Sequence, residues 1–102
     1  MAKLKENSYK VFEYVKAHEA KNITAKDIAA ALGFDPKQVN GIITAAFQRH
    51  REEVGDEKVI VPLMVRVEGE IEREVEPGKF KHEQVKFIQL TDAGREFEAE
   101  ME

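Results

Sequence analysis

The chain uses two kinds of hydrophobic spacing, and the change comes near its middle. In the first half apolar positions recur every three or four residues. Leu4, Ser8, Val11, Val15 and His18 form one such row, widened by Phe12 and Tyr14, which predicts a helix with one buried face running to about Glu19. Lys10, Glu13, Lys16 and Glu19 fall outside the row. Either Asn7 or Ser8 can cap its start, and Asn22 is the expected stop.

A second helix start follows at Thr24. Its hydroxyl can accept from the Asp27 amide while the Asp27 carboxylate reaches back to the Thr24 amide, a capping box flanked by Ile23 and Ile28 as a hydrophobic staple. Ile28, Ala29 and Leu32 share the inner face, and Gly33 ends the helix because it tolerates the left-handed cap conformation. A third start comes at once. Asp35 is the expected N-cap, Pro36 fits the first helical position where its missing N–H costs nothing, and Gln38 completes a second capping box, with Phe34 and Val39 as staple. Val39, Ile42, Ile43, Ala46 and Phe47 give a helix over 36–51 its inner face. Two well-signalled helices joined by a three-residue turn containing Gly form the pattern of a helix-turn-helix, expected over about 24–51.

The second half changes to β patterning. Residues 59–67 are rich in β-formers, with Pro62 belonging at an edge or bulge. Glu68-Gly69 is a candidate two-residue turn. Residues 70–76 alternate strictly, with Glu70, Glu72, Glu74 and Glu76 on one side and Ile71, Arg73 and Val75 between them, which predicts a strand with one wet, acidic face. Pro77-Gly78 signals a turn, and residues 79–90 supply a further strand. The expectation is an antiparallel sheet of two or three strands over about 59–90. Thr91 then caps a short helix over about 92–100 with Ala93, Phe97 and Met101 on one side; Glu98, Glu100 and Glu102 oppose its macrodipole, so its last turn should fray.

Length and composition narrow the picture. At 102 residues the chain fits one α+β domain spanning 1–102. The absence of cysteine excludes disulfides, thiolate chemistry and cysteine-ligated metal, and suits a reducing, cytoplasmic setting. No apolar run is long enough to span a bilayer, and the charged start Met-Ala-Lys-Leu-Lys-Glu is unlike a signal peptide. The formal net charge of −4 argues mildly against nucleic acid as a partner, but the total conceals an asymmetry. Residues 1–52 carry nine Lys/Arg against six Asp/Glu, a balance of +3, and residues 53–102 carry seven against fourteen, a balance of −7.

Taken in order, helix, helix-turn-helix, hairpin wing and terminal helix resemble a winged helix-turn-helix DNA-binding domain of the kind found in MarR-like and small phage-type transcriptional regulators. The stretches that carry the resemblance are Ile23-Thr24-Ala25-Lys26-Asp27-Ile28-Ala29-Ala30-Ala31-Leu32-Gly33, then Asp35-Pro36-Lys37-Gln38-Val39-Asn40-Gly41-Ile42-Ile43, and Leu90-Thr91-Asp92-Ala93-Gly94-Arg95, which is similar to the Leu-Thr-x-x-Gly-(Lys/Arg) that commonly follows the wing in that family. Two features depart from it. His50-Arg51-Glu52-Glu53-Val54-Gly55 stands where the family has a Gly-Leu-Val step, and the wing is acidic rather than basic. The chain is also shorter than a typical MarR-type subunit, so the family's long dimerisation helices are missing or reduced.

The resemblance implies sequence-specific binding of double-stranded DNA and transcriptional regulation, with helix 36–51 in the major groove. Gln38, Asn40, Gly41, Thr44 and Gln48 are the candidate base contacts: Asn and Gln for adenine, Thr for a thymine methyl, Gly41 for close backbone approach. Lys26, Lys37, Arg49 and Arg51 are the candidate phosphate contacts, with Arg73, Lys79 and Lys81 within reach from the wing tip. A pseudo-palindromic site would favour a homodimer, for which Phe97 and Met101 offer an apolar patch and the first helix a surface for it. The rival is a protein-interaction module that uses the acidic face of Glu70, Glu72, Glu74 and Glu76 and leaves DNA alone.

No enzymatic constellation is visible. Ser8 is the only serine, His18, His50 and His82 are far apart with no metal-ligand spacing, and no Gly-rich phosphate loop occurs. Neither a metal nor a cofactor is expected.

Overall fold

In the computed structural model, which describes residues 2–18 and 21–102, the apolar rows of the helical half close on one core. The chain opens with a three-residue strand, β1 (Ala2–Leu4), and helix α1 (Glu6–Ala17) follows directly. Because β1 carries the backbone up to Leu4, the N-cap of α1 is Lys5, without a side-chain bond, and Asn7 and Ser8 lie inside the first turn rather than capping it. The helix ends at Ala17, short of the expected Asn22; Glu19 lies outside the described residues. Val11, Phe12 and Val15 are its buried face.

Helix α2 (Ala25–Leu32) starts as its sequence dictates. Thr24 Oγ1 accepts from the Asp27 amide at 3.2 Å, Asp27 Oδ2 accepts from the Thr24 amide at 3.0 Å, and Gly33 ends the helix at φ 73°. Helix α3 (Pro36–Ile42) is capped by Asp35, whose carboxylate accepts from the Lys37 amide at 2.8 Å. The second capping box therefore does not form: Asp35 is engaged one residue earlier than Gln38, as the Pro36 start permits. Nor does α3 run on as a regular helix to residue 51. From Ile43 to Gln48 it widens into a π-helical segment, with the Arg49 amide donating to the Thr44 carbonyl five residues back at 3.1 Å. Ile43 and Phe47 stay buried through the widened turn.

The β half differs from expectation in how it is cut. Strands β2 (Arg51–Val54) and β3 (Glu57–Ile60) form a short antiparallel hairpin about Gly55-Asp56, which takes up the stretch between the expected helix end at 51 and the expected sheet start at 59. Pro62 interrupts the chain, and β4 (Met64–Glu76) then runs without a break to the Pro77-Gly78 turn and back as β5 (Lys79–Leu90). Glu68-Gly69 is not a turn. Gly69 lies mid-strand opposite Val85, with the Phe87 ring over its bare α-carbon: a β-carbon there would stand 2.2 Å from Phe87 Cε2. Gly is present for close approach, not for a bend. A bulge between Glu74 and Glu76 breaks the alternation, so Glu76 is out of step with Glu70, Glu72 and Glu74.

The base of this hairpin belongs to the core. Met64, Ile88 and Leu90 are buried beside Leu63 and Phe47, and the Leu63 amide donates to the Phe47 carbonyl at 2.8 Å. On its outer edge β5 meets the residues before α2: the Ile88 amide donates to the Ile23 carbonyl at 2.8 Å, and Thr24 bridges Phe87. The outer part of the two strands, toward the Pro77-Gly78 turn, is exposed, and the molecule measures 58 × 24 × 22 Å along its principal axes.

Thr91 caps α4 (Asp92–Glu96) through the Gly94 amide at 3.0 Å and donates its hydroxyl hydrogen to the Pro62 carbonyl at 2.6 Å. The expected helix to residue 100 stops there. Phe97 turns inward, edge-on to Phe12 at 5.5 Å and to His50 at 5.2 Å, and Ala99–Met101 becomes strand β6, paired in parallel with β1. That pairing replaces the frayed last turn. Phe97 and Met101 therefore do not share a helix face: Phe97 is half-buried against Phe12, and Met101 is exposed in β6. Among the described residues no helix is long and apolar enough to cross a membrane.

Candidate nucleic-acid interface

Helix α3 and the π segment that continues it are seated by Val39, Ile43 and Phe47, all fully buried, which decides which residues look outward. Lys37, Asn40, Gly41 and Ala45 are exposed, with Thr44 and Gln48 half-buried along one flank. Nothing lies within 4 Å of where a Gly41 β-carbon would sit, so the backbone is bare at the centre of the face.

The flank carrying Asn40, Thr44 and Gln48 faces β4, and one side chain from that strand gathers all three. Arg66 Nη1 donates to Gln48 Oε1; Arg66 Nη2 lies 3.2 Å from the Asn40 carbonyl oxygen, 3.3 Å from Asn40 Oδ1 and 3.1 Å from Thr44 Oγ1. The π-helical segment makes this convergence possible. In an α-helix, residues four apart drift steadily round the axis in one direction, and a wider turn reverses the drift. Gln48 is thereby returned to the side of Asn40 instead of moving away from it.

Arg66 is the residue that sequence reasoning missed. Its signal is the period of two in Met64-Val65-Arg66: the buried Met64 points to the helices, so Arg66 does too. The remaining candidates divide. Lys26 is exposed at the start of α2, Lys37 at the start of α3, and Arg49 just past the π segment. Arg51 is not on the helix at all; it is in β2, opposite Ile60. Gln38 sits on the far flank, in a shallow depression with Lys5, Asn7 and Ser8, apart from the Asn40–Thr44–Gln48 row.

Between α2, Arg66 and the hairpin lies an open groove of 370 Å³ whose charged lining includes Lys26, Arg66, Arg73 and Lys86 together with Asp27 and Glu83. Both acids are engaged, Asp27 in its capping box and Glu83 with Arg73 at 3.3 Å. With Arg73 taken by Glu83 and Arg66 turned to α3, Lys26 and Lys86 are the further cations of the groove, and its two carboxylates are engaged. The chain matches no protein-family model, no curated protein and no solved structure. The site is accordingly read from its own chemistry.

The outer hairpin presents the opposite character. Glu68, Glu70, Glu72 and Glu74 follow Arg66 on one face of β4. His82 Nδ1 lies 2.7 Å from Glu70, Lys79 lies 3.4 Å from Glu76, and Arg73 is taken by Glu83, so most of the wing-tip cations expected to reach phosphate are paired within the hairpin. The three histidines are dispersed: His18 Nδ1 is 2.8 Å from the Tyr14 carbonyl and His50 is 3.5 Å from Glu52. Among the described residues no group of three or more His, Asp or Glu is placed to hold a metal.

Proposed function

We propose that this chain is a winged helix-turn-helix domain that binds double-stranded DNA sequence-specifically, as a cytoplasmic transcription regulator, with the outer face of α3 in the major groove. The observation that carries the reading is that face: small, polar and bare at Gly41, on a helix seated by Val39, Ile43 and Phe47 and preceded by a capped helix and a glycine turn. The order of three helices and a long antiparallel hairpin, with Ile23 and Thr24 bridged to β5, supports the winged-helix reading. Lys26, Lys37 and Arg49 are the phosphate contacts and Asn40, Gly41, Thr44 and Gln48 the groove face.

The test is a salt-titrated binding assay on random-sequence and selected duplexes. Affinity falls steeply with salt, each neutralised phosphate contributing a log–log slope of about −0.9. Lys26→Ala with Lys37→Ala flattens that slope by nearly two contacts. Absence of binding to every duplex at low salt overturns the reading.

A specific observation favours a second one. The row Glu68, Glu70, Glu72 and Glu74 continues from Arg66 on the same strand face and repels phosphate. As a protein-interaction surface it would meet a basic partner. Reversing Glu72 and Glu74 to Lys would then abolish capture of that partner with the fold intact, whereas under the DNA reading the same change leaves binding in place or strengthens it.

A further inference from the structure

The hydrogen-bond polarity of the α3 flank points to one kind of base edge. Arginine has N–H donors and no acceptor, so whatever faces its guanidinium must accept. Asn40 turns Oδ1 to Arg66, Gln48 turns Oε1 to it, and Thr44 offers its hydroxyl oxygen. The orientation of both amides is thereby decided by chemistry: the reverse flip would set N–H against N–H. With their oxygens turned toward Arg66, the groups Asn40 and Gln48 have to turn elsewhere are their amide N–H donors, Thr44 has its hydroxyl hydrogen, and Lys37, in the first turn of α3, adds an ammonium donor.

Adenine in the major groove shows one acceptor and one donor, and an Asn or Gln that reads it turns its oxygen and its nitrogen together to the base edge, which an oxygen aimed back at Arg66 opposes. Guanine shows two acceptors, N7 and O6, side by side. We infer that the Arg66-locked face of Asn40, Thr44 and Gln48 selects the acceptor pair of guanine over adenine, and that Arg66 is the specificity-determining residue, acting by fixing the amides. This inference rests on the DNA-binding reading above and sharpens it to a base preference. It replaces the adenine contacts expected of Asn and Gln from their residue types alone.

The experiment uses the full chain and the duplex it enriches from a random pool, with affinity measured by fluorescence anisotropy. Each guanine is replaced in turn by 7-deazaguanine, which lacks the N7 acceptor but still pairs with cytosine. At one guanine at least, the loss is about fivefold to tenfold, and that effect vanishes in Asn40→Ala. In Arg66→Met the amides are free to rotate, and preference at that position moves from guanine toward adenine. The inference is overturned, with DNA binding intact, if the native chain enriches adenine there or if no 7-deazaguanine substitution changes affinity. No binding to any duplex overturns both readings. Should Arg66→Met fail to fold by circular dichroism, the 7-deazaguanine scan of the native chain decides alone.

Discussion

The outer face of α3 and the outer half of the β4–β5 hairpin are both exposed and polar, yet they are built in opposite ways. The helix face is small and bare at Gly41, and its longer side chains are held from behind by Arg66. The hairpin carries more charge, but much of it is satisfied internally, in Glu70–His82, Arg73–Glu83 and Glu76–Lys79. Exposed pairs of this kind contribute about 0–1 kcal/mol each and keep a free-standing ribbon soluble. On the helix face the Asn40 and Gln48 oxygens face Arg66, which is what the proposed DNA contact draws on.

The comparison breaks first at the seat of the helix. Phe47 is fully buried, 5.6 Å from the Phe12 ring, and its carbonyl receives the Leu63 amide at the base of the hairpin. Phe47→Ala is expected to cost about 3–5 kcal/mol by urea denaturation, taking the α3 face with it. Truncation of Phe80, 56% exposed near the hairpin tip, should leave the denaturation midpoint nearly unchanged. Equal sensitivity of the two would mean that the outer hairpin is part of the cooperative core.

Within the helix face, Asn40→Ala should weaken a cognate duplex by about 1–3 kcal/mol and relax selection at one position, while Lys37→Ala weakens all sequences alike. A common, sequence-independent loss from both would reduce the face to a phosphate patch.

How much of this was legible in the sequence follows from how far apart the partners lie. The Thr24–Asp27 box, the Gly33 stop, the Asp35–Pro36 start and the rows of Val11, Phe12, Val15, Val39, Ile43 and Phe47 are local signals, and each is where its spacing places it. What escaped depends on distant contacts. Gly69 resembles a turn residue until Phe87 is laid over it. The three-residue pairing of β1 with β6 joins the two ends of the chain and leaves no periodicity to read. The end of α3 widens into a π segment where Thr44 and Gln48 meet Arg66, eighteen or more residues away in the chain. The base-contact candidates were found as a set because helical spacing collects Asn40, Gly41, Thr44 and Gln48. Gln38 lies at the flank, beside Lys5, Asn7 and Ser8, and Arg51 falls in β2 because helical spacing does not show where the helix gives way to the hairpin.

Gly41 offers a test in which stability and binding move in opposite directions. Its backbone is helical, nothing lies within 4 Å of the position a β-carbon would take, and Gly costs a helix interior about 0.5–1 kcal/mol relative to Ala. Gly41→Ala should therefore raise the denaturation midpoint. If the backbone there approaches a groove, the same methyl lowers duplex affinity. A variant that is both more stable and equally tight would show that Gly41 is not at the contact.

The smallest expected effect belongs to the hairpin. Glu72 and Glu74 stand on the exposed face beyond the body, opposite His82 and Phe80, so Glu72→Lys with Glu74→Lys should change stability by less than about 0.5 kcal/mol. The pair adds four units of positive charge to the ribbon. Where the ribbon runs close to a bound duplex, that charge raises affinity at low salt and steepens the salt dependence; where it points away, beyond a Debye length of about 8–10 Å, neither changes. The first outcome makes the hairpin a true wing whose native acids restrain binding, and the second confines the interface to α3 and its Arg66-held flank. If the same variant instead loses capture of a basic protein partner at unchanged stability, the carboxylates themselves hold that partner, and the functional surface moves from the helix to the hairpin.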